Sequence, residues 1–572
     1  MKGRHLSELM KHAKERKTGI TFISGANEEV FLSYAQLYKQ SRETLFVLQK
    51  KGLRNGDELI FQLEDNQDFL ILFWACILGG IIPVPITTGS NDTYKQKFFS
   101  IWKILRNPYL VTNHHILERL KRYGKEKALI EDKTELDLKT LLINEVFNQN
   151  EQMAQEEELD DECIAFIQFS SGSTGEPKGI ILTHKNLISN ISAIVQRMDV
   201  SKQDSVLSWM PLTHDMGLIG FHLSALAVGI DQFMMPTVLF ARAPLLWLDK
   251  MSAHRISITA SPNFGYHYVM EKMGDKQFSW DLSCVRIMAN GAEPISPITC
   301  EQFLEKMASY QLNKKALFNV YGMAEATLAI TLPKVNEGLR SINVSRDHLS
   351  VGSRIVVLDQ EEGLQLVDLG YSIQDCQLKM MNEAGQHLEE NRVGYIYIKG
   401  VNVTNGYYND LEHTEKMITS DGWLKTGDLG FINNDRLFVC GRSKEIIFIN
   451  GKNYYPSDIE QMVENSCHIK KGKLAVTSIF DQFCNRELIL LFVSFRKKAS
   501  FFMELENEIH RQAYLKTGLR IDKVIPIKNL PRTTSGKIQR YKLKEWYQSG
   551  LYSDILEEIE MLKNKMNGQM TK

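Results

Sequence analysis

Apolar residues recur along this chain with two alternating spacings. Stretches with helical spacing, such as "VFLSYAQLYKQSRETLFVLQKKG", alternate with short runs rich in β-branched residues, such as "ELIFQL" and "CIAFIQF". Alternation of this kind is typical of layered α/β folds built on a largely parallel sheet. We therefore predict an α/β architecture for most of the chain.

The most apolar stretch, "FLILFWACILGGII", covers residues 69–82 and ends before Pro83. It is too short to cross a bilayer, and its length is typical of a helix buried in a protein core. We predict a buried helix here and no membrane span. The residues "PVPI" that follow predict a short buried strand.

The pattern changes in the last third of the chain. Beyond residue 400, the turn-rich pieces "NGYYND" and "DGWLKTGDLGFINNDRLFVCGR" predict β-hairpins, with "NND" as a tight turn. From about Glu445 onward the pattern predicts a smaller α+β unit. A second unit following a larger one also fits the length of 572 residues.

Composition and charge narrow the class of protein. Hydrophobic residues make up 43% and charged residues 24% of the chain, the balance of an ordinary globular protein. The overall charge is −1, but residues 445–572 hold 21 Lys and Arg against 15 Asp and Glu, which leaves +6 there. This basic unit lacks arrayed aromatic residues, so we expect no nucleic acid partner.

Cysteine usage and the chain start favour a reducing compartment. The eight cysteines are scattered without a C-x-x-C pair, which indicates neither a disulfide framework nor a zinc site. The start, "MKGRHLSELMKHAKERK", has no apolar region of the kind found in signal peptides. We expect a cytoplasmic protein.

Neither of the hydrolase motifs H-E-x-x-H and G-x-S-x-G is present in the sequence, so a metallohydrolase or serine hydrolase is unsupported.

One segment, "FSSGSTGEPKGI" at residues 169–180, is unusually rich in glycine and hydroxyl side chains. Glycine-rich loops direct backbone N–H groups toward one point and bind phosphate, and Lys178 adds a mobile positive charge. The spacing differs from the Walker pattern, and "GIILT" after it predicts a strand. A surface hairpin turn uses the same residue types, so composition alone leaves both interpretations open.

Further motifs follow this segment in a fixed order. They are "NGAEPI" at 290–295, "YGMAEAT" at 321–327, "GWLKTGDLG" at 422–430, "GRSKEIIFINGKNYYPSDIE" at 441–460 and "PRTTSGKIQR" at 531–540. Together with "SSGSTGEPKG" and "THKNL" they resemble the adenylate-forming superfamily, which includes acyl-CoA synthetases, luciferases and peptide-synthetase adenylation domains. The resemblance covers nearly the whole chain.

Within that superfamily, three segments resemble the fatty acyl-AMP ligases: "WMPLTHDMGLIG", "ASPNFGYHYVM" and "NGKNYYPSDIE". Residues 338–370 lie where this branch carries an extra segment, which in the family hinders the domain rearrangement needed for transfer to CoA. The resemblance implies a large domain at residues 1–443, made of layered β-sheets and helices with a β-barrel-like subdomain. It implies a small hinged α+β domain at 444–572.

The resemblance also implies where a nucleotide is held. The phosphate contacts fall on Ser170, Ser171, Gly172, Ser173, Thr174, Gly175 and Lys178. The adenine and AMP contacts fall on Asn290, Gly291, Ala292, Glu293, Tyr321, Gly322, Met323 and Ala324. Many superfamily members have Thr at the position of Ala324, but Ala is common in the acyl-AMP ligase branch. Asp428 is implied to bind the ribose hydroxyls, and Arg442 the ribose or phosphate.

The remaining implied roles concern catalysis. Lys537 is implied to bridge the substrate carboxylate and the α-phosphate, and His214 to contact the carboxylate or phosphate. Glu325 is the implied Mg²⁺ ligand, since Mg²⁺ prefers carboxylate and phosphate oxygens. Lys444 is at the implied hinge. The acyl-pocket candidates are Ile219, Phe264, Gly265 and Tyr266.

The resemblance thus implies an enzyme that uses ATP and Mg²⁺ to convert a fatty or related carboxylic acid to acyl-AMP. An acyl carrier protein thiol would then accept the acyl group, and the +6 charge of residues 445–572 could steer an acidic carrier. Two enzymatic alternatives stay open: an acyl-CoA ligase, and an amino-acid adenylation domain in which Asp215 pairs with the ammonium group. A non-catalytic nucleotide-binding scaffold is disfavoured by the presence of Lys537, Glu325 and Asp428.

Overall fold

The computed structural model describes residues 3–89, 91–129, 133–147, 152, 154–171, 176–359, 363–449, 452–481, 486–498, 501–517, 519–533 and 537–570. The strands are β1 Gly19–Ile23, β2 Glu29–Ser33, β3 Glu58–Phe61, β4 Ile82–Pro85, β5 Tyr109–Thr112, β6 Thr140–Leu142, β7 Ile164–Ser171, β8 Pro177–Thr183, β9 Ser205–Ser208, β10 Asp231–Met234, β11 Ile258–Ser261, β12 Ile287–Asn290, β13 Leu317–Asn319, β14 Tyr321–Gly322, β15 Ala329–Leu332, β16 Ser341–Val344, β17 Leu364–Val367, β18 Tyr371–Ser372, β19 Cys376–Met381, β20 His387–Leu388, β21 Gly394–Gly400, β22 Leu424–Asn433, β23 Arg436–Arg442, β24 Ile447–Ile449, β25 Lys452–Tyr454, β26 Leu474–Asp481, β27 Arg486–Ser494 and β28 Lys523–Ile527.

The helices are α1 Leu6–Ala13, α2 Tyr34–Lys50, α3 Asn66–Gly79, α4 Asp92–Ile104, α5 His114–Glu126, α6 Lys133–Leu138, α7 Ile143–Val146, α8 His184–Arg197, α9 Ser224–Val228, α10 Thr237–Arg242, α11 Leu245–Ala253, α12 Asn263–Met273, α13 Pro297–Met307, α14 Leu411–Met417, α15 Pro456–Ser466, α16 Phe502–Thr517, α17 Arg540–Gln548 and α18 Ser553–Met570. A π-helix covers Met216–Leu223, and a 3₁₀ turn covers each of Ala308–Tyr310, Ala324–Ala326, Arg346–His348 and Ser443–Glu445.

Parallel sheets dominate the first half of the chain, as predicted. A seven-stranded sheet runs in the order β13-β12-β11-β9-β10-β1-β2, and only β2 pairs antiparallel to its neighbour. A four-stranded sheet, β4-β3-β5-β6, is entirely parallel. The chain therefore has the predicted α/β architecture, in which crossover segments that include helices connect the parallel strands, as α3 connects β3 to β4.

The predicted buried helix is α3. Its residues from Phe69 to Gly79 are all buried, because the helix is apolar on every face. Asp65 caps its first turn by accepting hydrogen bonds from the backbone N–H groups of Gln67 and Asp68, and Gly80 ends it in the left-handed conformation. Among the described residues, no helix has the length and apolar character needed to span a membrane.

An antiparallel sheet, β20-β19-β21-β22-β23, follows the parallel sheets in the chain. The predicted hairpin joins β22 to β23, and its turn residues Asn434 and Asp435 both have positive φ angles. The segment "NGYYND" differs from the prediction. It forms an isolated bridge between Tyr407 and Asp410 and no hairpin of paired strands, because its backbone bonds mainly to strand β8, where Tyr407 bridges Ile180.

The last part of the chain is the predicted smaller α+β unit. Strands β26, β27 and β28 form one sheet, and α15 to α18 accompany it. Its core includes Ile459, Leu491 and Ile509. Strands β16 and β17, from the 338–370 segment, pair with each other and contribute Val344 and Leu366 to a cluster that also contains Tyr455.

Candidate active site

The candidate site lies where the parallel strands of the seven-stranded sheet end. Asn290 and Asn319 are the last residues of β12 and β13, and they are register partners. Both side chains are buried, and the Oδ1 atom of each has no hydrogen-bond partner within the described part of the protein. The carboxyl ends of parallel strands are the usual location of ligand sites in α/β sheets.

The glycine-rich segment connects two antiparallel strands. Ser170 on β7 lies opposite Lys178 on β8. Gly172, Ser173, Thr174 and Gly175 lie outside the described residues, as does the side chain of Ser171. Burial lowers the pKa of Lys178, and the carboxylate of Asp410 nearby opposes this shift.

Two motifs approach each other closely through their backbones. A Cβ atom on Gly291 would lie 2.6 Å from Cγ2 of Val320, and one on Gly322 would lie 1.8 Å from the carbonyl oxygen of Leu328. Ala292 has a φ angle of 69°, which is uncommon for a residue with a side chain. The backbone N–H of Val320 donates to the carbonyl of Asn290 at 2.8 Å, so the first motif lies beside the start of the second, and a side chain at Gly322 would clash with the backbone.

Tyr321, Asp428 and Arg442 form one polar group. The Tyr321 hydroxyl donates to Asp428 Oδ2 at 2.6 Å, and Arg442 Nε lies 3.4 Å from Oδ1 of the same carboxylate. Asp428 and Arg442 are register partners on β22 and β23. Burial raises the pKa of Asp428, although Arg442 and the Tyr321 hydroxyl oppose this shift. This arrangement brings the candidate adenine and ribose residues together.

His214 and Asp215 lie at the start of the π-helix. His214 Nδ1 is 2.6 Å from Asp215 Oδ1, and the backbone N–H of Met216 donates to the same carboxylate oxygen at 2.7 Å. Burial opposes ionisation of Asp215, but His214 and Lys537 hold its pKa below the ordinary value. The Asp215 carboxylate thus has the His214 ring and a backbone N–H group as direct neighbours.

Glu325 lies in the 3₁₀ turn after β14. Its Oε1 atom accepts a hydrogen bond of 3.0 Å from the hydroxyl of Tyr407. Burial raises the pKa of Glu325, and the Tyr407 hydrogen bond and Arg442 act in the opposite direction. No cluster of three or more His, Cys, Asp or Glu side chains suited to a metal ion occurs among the described residues.

The charge of Lys537, from the smaller unit, acts on groups of the same site. Its charge interacts with Asp215, Asp428 and Arg442 of the larger unit. Burial and the Arg442 guanidinium lower the pKa of Lys537, while the two carboxylates raise it. Lys444 is exposed in the 3₁₀ turn that connects β23 to the smaller unit. The two units therefore contribute charged groups to one place.

The four acyl-pocket candidates do not share one environment. Phe264 and Tyr266 belong to the cluster around the seven-stranded sheet, whereas Ile219 packs in another core cluster. Tyr266 is buried and its hydroxyl donates to the carbonyl of Ala289 at 2.9 Å. A Cβ atom on Gly265 would lie 2.0 Å from Ser261 Oγ.

The sequence analysis missed two residues near the site. The Tyr407 hydroxyl contacts Glu325, and the Asn319 side chain is buried at the end of β13. The carboxylate of Glu293, one of the predicted adenine residues, accepts a 2.6 Å hydrogen bond from the backbone N–H of Phe264. Burial raises the pKa of Glu293 to about 7. Asn319 lies two positions before Tyr321, the first residue of the "YGMAEAT" motif, and this position could have identified Asn319 as a site residue.

Comparison with known families agrees with this geometry. The family described as "AMP-binding enzyme" matches residues 9–408. The chain belongs to the AMP-binding enzyme family. The matched range contains the glycine-rich segment, residues 290–293 and residues 321–325.

Relatives of known name share most of this AMP-binding enzyme's length. It is 30% identical over 566 residues to a protein of Caulobacter vibrioides named as an acyl-CoA synthetase, with 96% of each chain covered. It is 28% identical to the medium-chain-fatty-acid–[acyl-carrier-protein] ligase JamA of Moorena producens, over 94% of this chain and 93% of that one. A solved structure from a study of fatty acyl-adenylate ligases of E. coli and L. pneumophila is 27% identical, with a TM-score of 0.87 and coverage of 96% and 98%.

Proposed function

We propose that this enzyme uses ATP to activate a fatty or related carboxylic acid as acyl-AMP, with release of pyrophosphate, and then transfers the acyl group to the phosphopantetheine thiol of an acyl carrier protein. The observation that carries the proposal is the polar group of Tyr321, Asp428 and Arg442, in which the Tyr321 hydroxyl donates to Asp428 at 2.6 Å and Arg442 lies 3.4 Å from the same carboxylate. The charge of Lys537, from the smaller unit, also acts on Asp428, which supports a role for this cation beside the candidate ribose site.

The first step forms a bond between a carboxylate oxygen and the α-phosphorus of ATP while the bond to pyrophosphate breaks. Both reactants are anions, so the protein's main task is to align them and to offset their charge. Lys537 would contact the carboxylate and the α-phosphate, Lys178 and the 170–175 loop the leaving pyrophosphate, and Asp428 the ribose hydroxyls. In the second step the thiol sulfur bonds to the acyl carbon, AMP leaves, and the thiol proton is lost to solvent.

The residues present fit a Mg²⁺ ion that arrives with ATP. Glu325 offers a carboxylate with one oxygen bonded only to a tyrosine hydroxyl, and a single carboxylate together with substrate phosphates is the usual way that Mg²⁺ is held in such sites. Glu325 would be the protein ligand. When bound, the ion offsets charge on the phosphates.

The surroundings of Asp215 favour a simple carboxylic acid over an amino acid. An amino acid would need an unpaired carboxylate for its ammonium group, but Asp215 is already paired with His214 at 2.6 Å. The name of one relative points the same way, since JamA is a medium-chain-fatty-acid ligase. The acyl chain would lie near Phe264 and Gly265.

Contacts of the 338–370 segment with the smaller unit favour a carrier protein as acceptor. Arg346 donates to Asp458 through two nitrogens, at 2.7 and 3.0 Å, and the Tyr455 hydroxyl donates to the carbonyl of Leu349 at 2.8 Å. These contacts would oppose rotation about Lys444, the proposed hinge between units at 1–443 and 444–572. An acyl-CoA ligase is the alternative, because one relative is named as an acyl-CoA synthetase.

The seven cysteines of the described residues are unpaired, which fits a reducing compartment such as the cytoplasm. The +6 charge of residues 445–572 would steer an acidic carrier protein toward the smaller unit. Steering of this kind weakens with salt, so association with holo carrier protein should slow between about 50 and about 500 mM salt. An association rate independent of salt over that range would contradict the docking part of the proposal.

A pyrophosphate-release screen tests the function directly. Purified enzyme is given ATP, Mg²⁺ and acids of varied length and polarity, and each active acid is then tested with CoA and with holo carrier protein. We expect pyrophosphate release with one class of fatty acid, and acyl transfer to the carrier but not to CoA. Release with amino acids alone, or transfer only to CoA, would establish one of the alternatives instead.

A further inference from the structure

A short segment, residues 402–408, lies between the two motifs that carry Lys178 and Glu325. On one side, the backbone N–H of Thr404 donates to the carbonyl of Glu325 at 2.9 Å. On the other side, the backbone N–H of Tyr408 donates to the carbonyl of Gly179 at 2.7 Å. The segment therefore fixes the spacing between strand β8 and the 3₁₀ turn Ala324–Ala326.

The side chain of Tyr407 lies between strand β8 and the 3₁₀ turn. It is 9% exposed, and its hydroxyl donates to Glu325 Oε1 at 3.0 Å. The Nζ atom of Lys178 lies over the same ring, 5.0 Å from its centroid. One aromatic side chain thus contacts both the candidate phosphate-binding lysine and the candidate metal-binding carboxylate.

Those two groups carry opposite charges, so without an intervening side chain they could pair with each other. A direct Lys178–Glu325 ion pair would occupy the lysine needed for phosphate and the carboxylate needed for a metal ion. The ring gives the lysine a cation–π contact, and the hydroxyl gives the carboxylate a hydrogen bond to one oxygen only. Lys178 and Glu325 therefore each have a stabilising contact with Tyr407, and neither contact prevents the group from binding its own ligand.

We propose that Tyr407 is a positioning residue that separates Lys178 from Glu325 and orients the Glu325 carboxylate for the Mg²⁺ of MgATP. The proposal rests on the proposed function, since it needs Glu325 to be the metal ligand. Outer partners that orient a metal-binding carboxylate contribute to metal affinity without touching the metal. Nothing in the local sequence assigns this role, because Tyr407 and Glu325 are 82 residues apart.

The neighbouring Tyr408 provides a matched control. It is 8% exposed, and its hydroxyl also donates to a carboxylate, that of Glu58 at 2.5 Å. Glu58 additionally accepts hydrogen bonds from the backbone N–H groups of Arg106 and Asn107, away from the candidate site. Tyr408→Phe therefore removes the same kind of buried bond without changing the environment of Glu325.

Isothermal titration calorimetry of the full chain with ATP, in Mg²⁺ and in EDTA and without any acid, tests the proposal. The quantity of interest is the gain in ATP affinity that Mg²⁺ provides. In Tyr407→Phe we expect this gain to fall about tenfold, with ATP affinity in EDTA within about twofold of wild type. In Tyr407→Leu, which also removes the ring, ATP affinity in EDTA should fall about threefold as well.

Steady-state kinetics add a second readout. Tyr407→Phe should raise KM for MgATP and leave KM for the acid unchanged, whereas Tyr408→Phe should change neither. Both phenylalanine variants should lose thermal stability to a similar extent, which removes general destabilisation as the explanation of a difference in Mg²⁺ dependence.

The variant Glu325→Gln distinguishes failure of the metal-ligand assignment from failure of the role proposed for Tyr407. If Glu325→Gln loses the Mg²⁺-dependent gain but Tyr407→Phe retains it, like Tyr408→Phe, the role of Tyr407 is refuted and the metal ligand stands. If Glu325→Gln retains the gain, both the metal ligand and the role of Tyr407 are refuted. A wild-type chain that does not bind ATP under either condition would refute the proposed function together with this inference.

Discussion

Replacing Arg346 tests whether the 338–370 segment restricts the smaller unit. Arg346→Ala removes both hydrogen bonds to Asp458, which lies in the first turn of α15. If this contact holds the smaller unit in the arrangement described, its loss will make the alternative arrangement more populated. CoA should then be accepted more readily, while acyl-AMP formation stays unchanged.

The size of the effect follows from the geometry of the pair. The contact is bidentate, and the Arg346 and Asp458 side chains are 32% and 12% exposed. Hydrogen bonds to charged groups contribute ~1.5–3 kcal/mol, and partial exposure of the arginine places this pair toward ~1.5 kcal/mol. A change of about 1.4 kcal/mol shifts an equilibrium about tenfold. We therefore expect CoA-dependent acyl transfer to rise about tenfold in Arg346→Ala.

The assay compares two rates on the same preparation. Acid-dependent ATP–pyrophosphate exchange measures the first step, and CoA-dependent AMP release measures transfer. Arg255→Ala is the control, because Arg255 pairs with Asp281 at 3.2 Å through exposed side chains within the larger unit. The control should alter neither rate.

Two results would refute this reasoning. If Arg346→Ala shows unchanged exchange and no rise in CoA-dependent release, the ion pair does not restrict the smaller unit. If Arg255→Ala raises CoA-dependent release as much as Arg346→Ala, the effect is unrelated to the contact with α15.

Two further predictions concern stability and site geometry. Burial and the nearby Glu460 raise the pKa of Glu464 to about 7, so its ionisation destabilises the fold as pH rises from about 4.5 through 7. In urea unfolding, the free energy of unfolding of the wild type should fall by about 2 kcal/mol more between pH 4.5 and pH 8 than that of Glu464→Gln. An equal fall in the two proteins would contradict this prediction. In Gly322→Ala the new Cβ would lie 1.8 Å from the Leu328 carbonyl oxygen, so the rate of ATP–pyrophosphate exchange should fall at least tenfold. The control Gly25→Ala, whose new Cβ has ordinary contacts, should retain the wild-type rate. Equal rates in the two variants would show that the close approach at Gly322 is unimportant.

Local sequence patterns predicted correctly those elements whose structure depends on their own residues. Helix α3 is apolar on every face, so its burial followed from composition and length, and Asp65 and Gly80 end it by local hydrogen bonds and backbone conformation. The hairpin at Asn434 and Asp435 followed from turn residues that tolerate positive φ angles.

Local sequence patterns did not predict features that depend on contacts between distant parts of the chain. The π-helix Met216–Leu223 has no sequence signal of its own; a Cβ on Gly217 would lie 2.4 Å from the Pro211 carbonyl oxygen, so its path depends on close packing with a preceding loop. Tyr407 was assigned to a hairpin because its turn-rich neighbours favour one. Its hydrogen-bond partner Glu325 is separated by 82 residues, and no local pattern reports such a contact.

The most direct test of the central claim is acid-dependent ATP–pyrophosphate exchange by Lys537→Met, compared with wild type. If groups from both units act on one nucleotide, removing this cation should lower exchange at least 100-fold, the usual loss for a group that stabilises developing charge. Circular dichroism and thermal unfolding should be unchanged, since no side-chain hydrogen bond or ion pair of Lys537 occurs within the described part of the chain. Exchange at the wild-type rate in Lys537→Met would contradict the account.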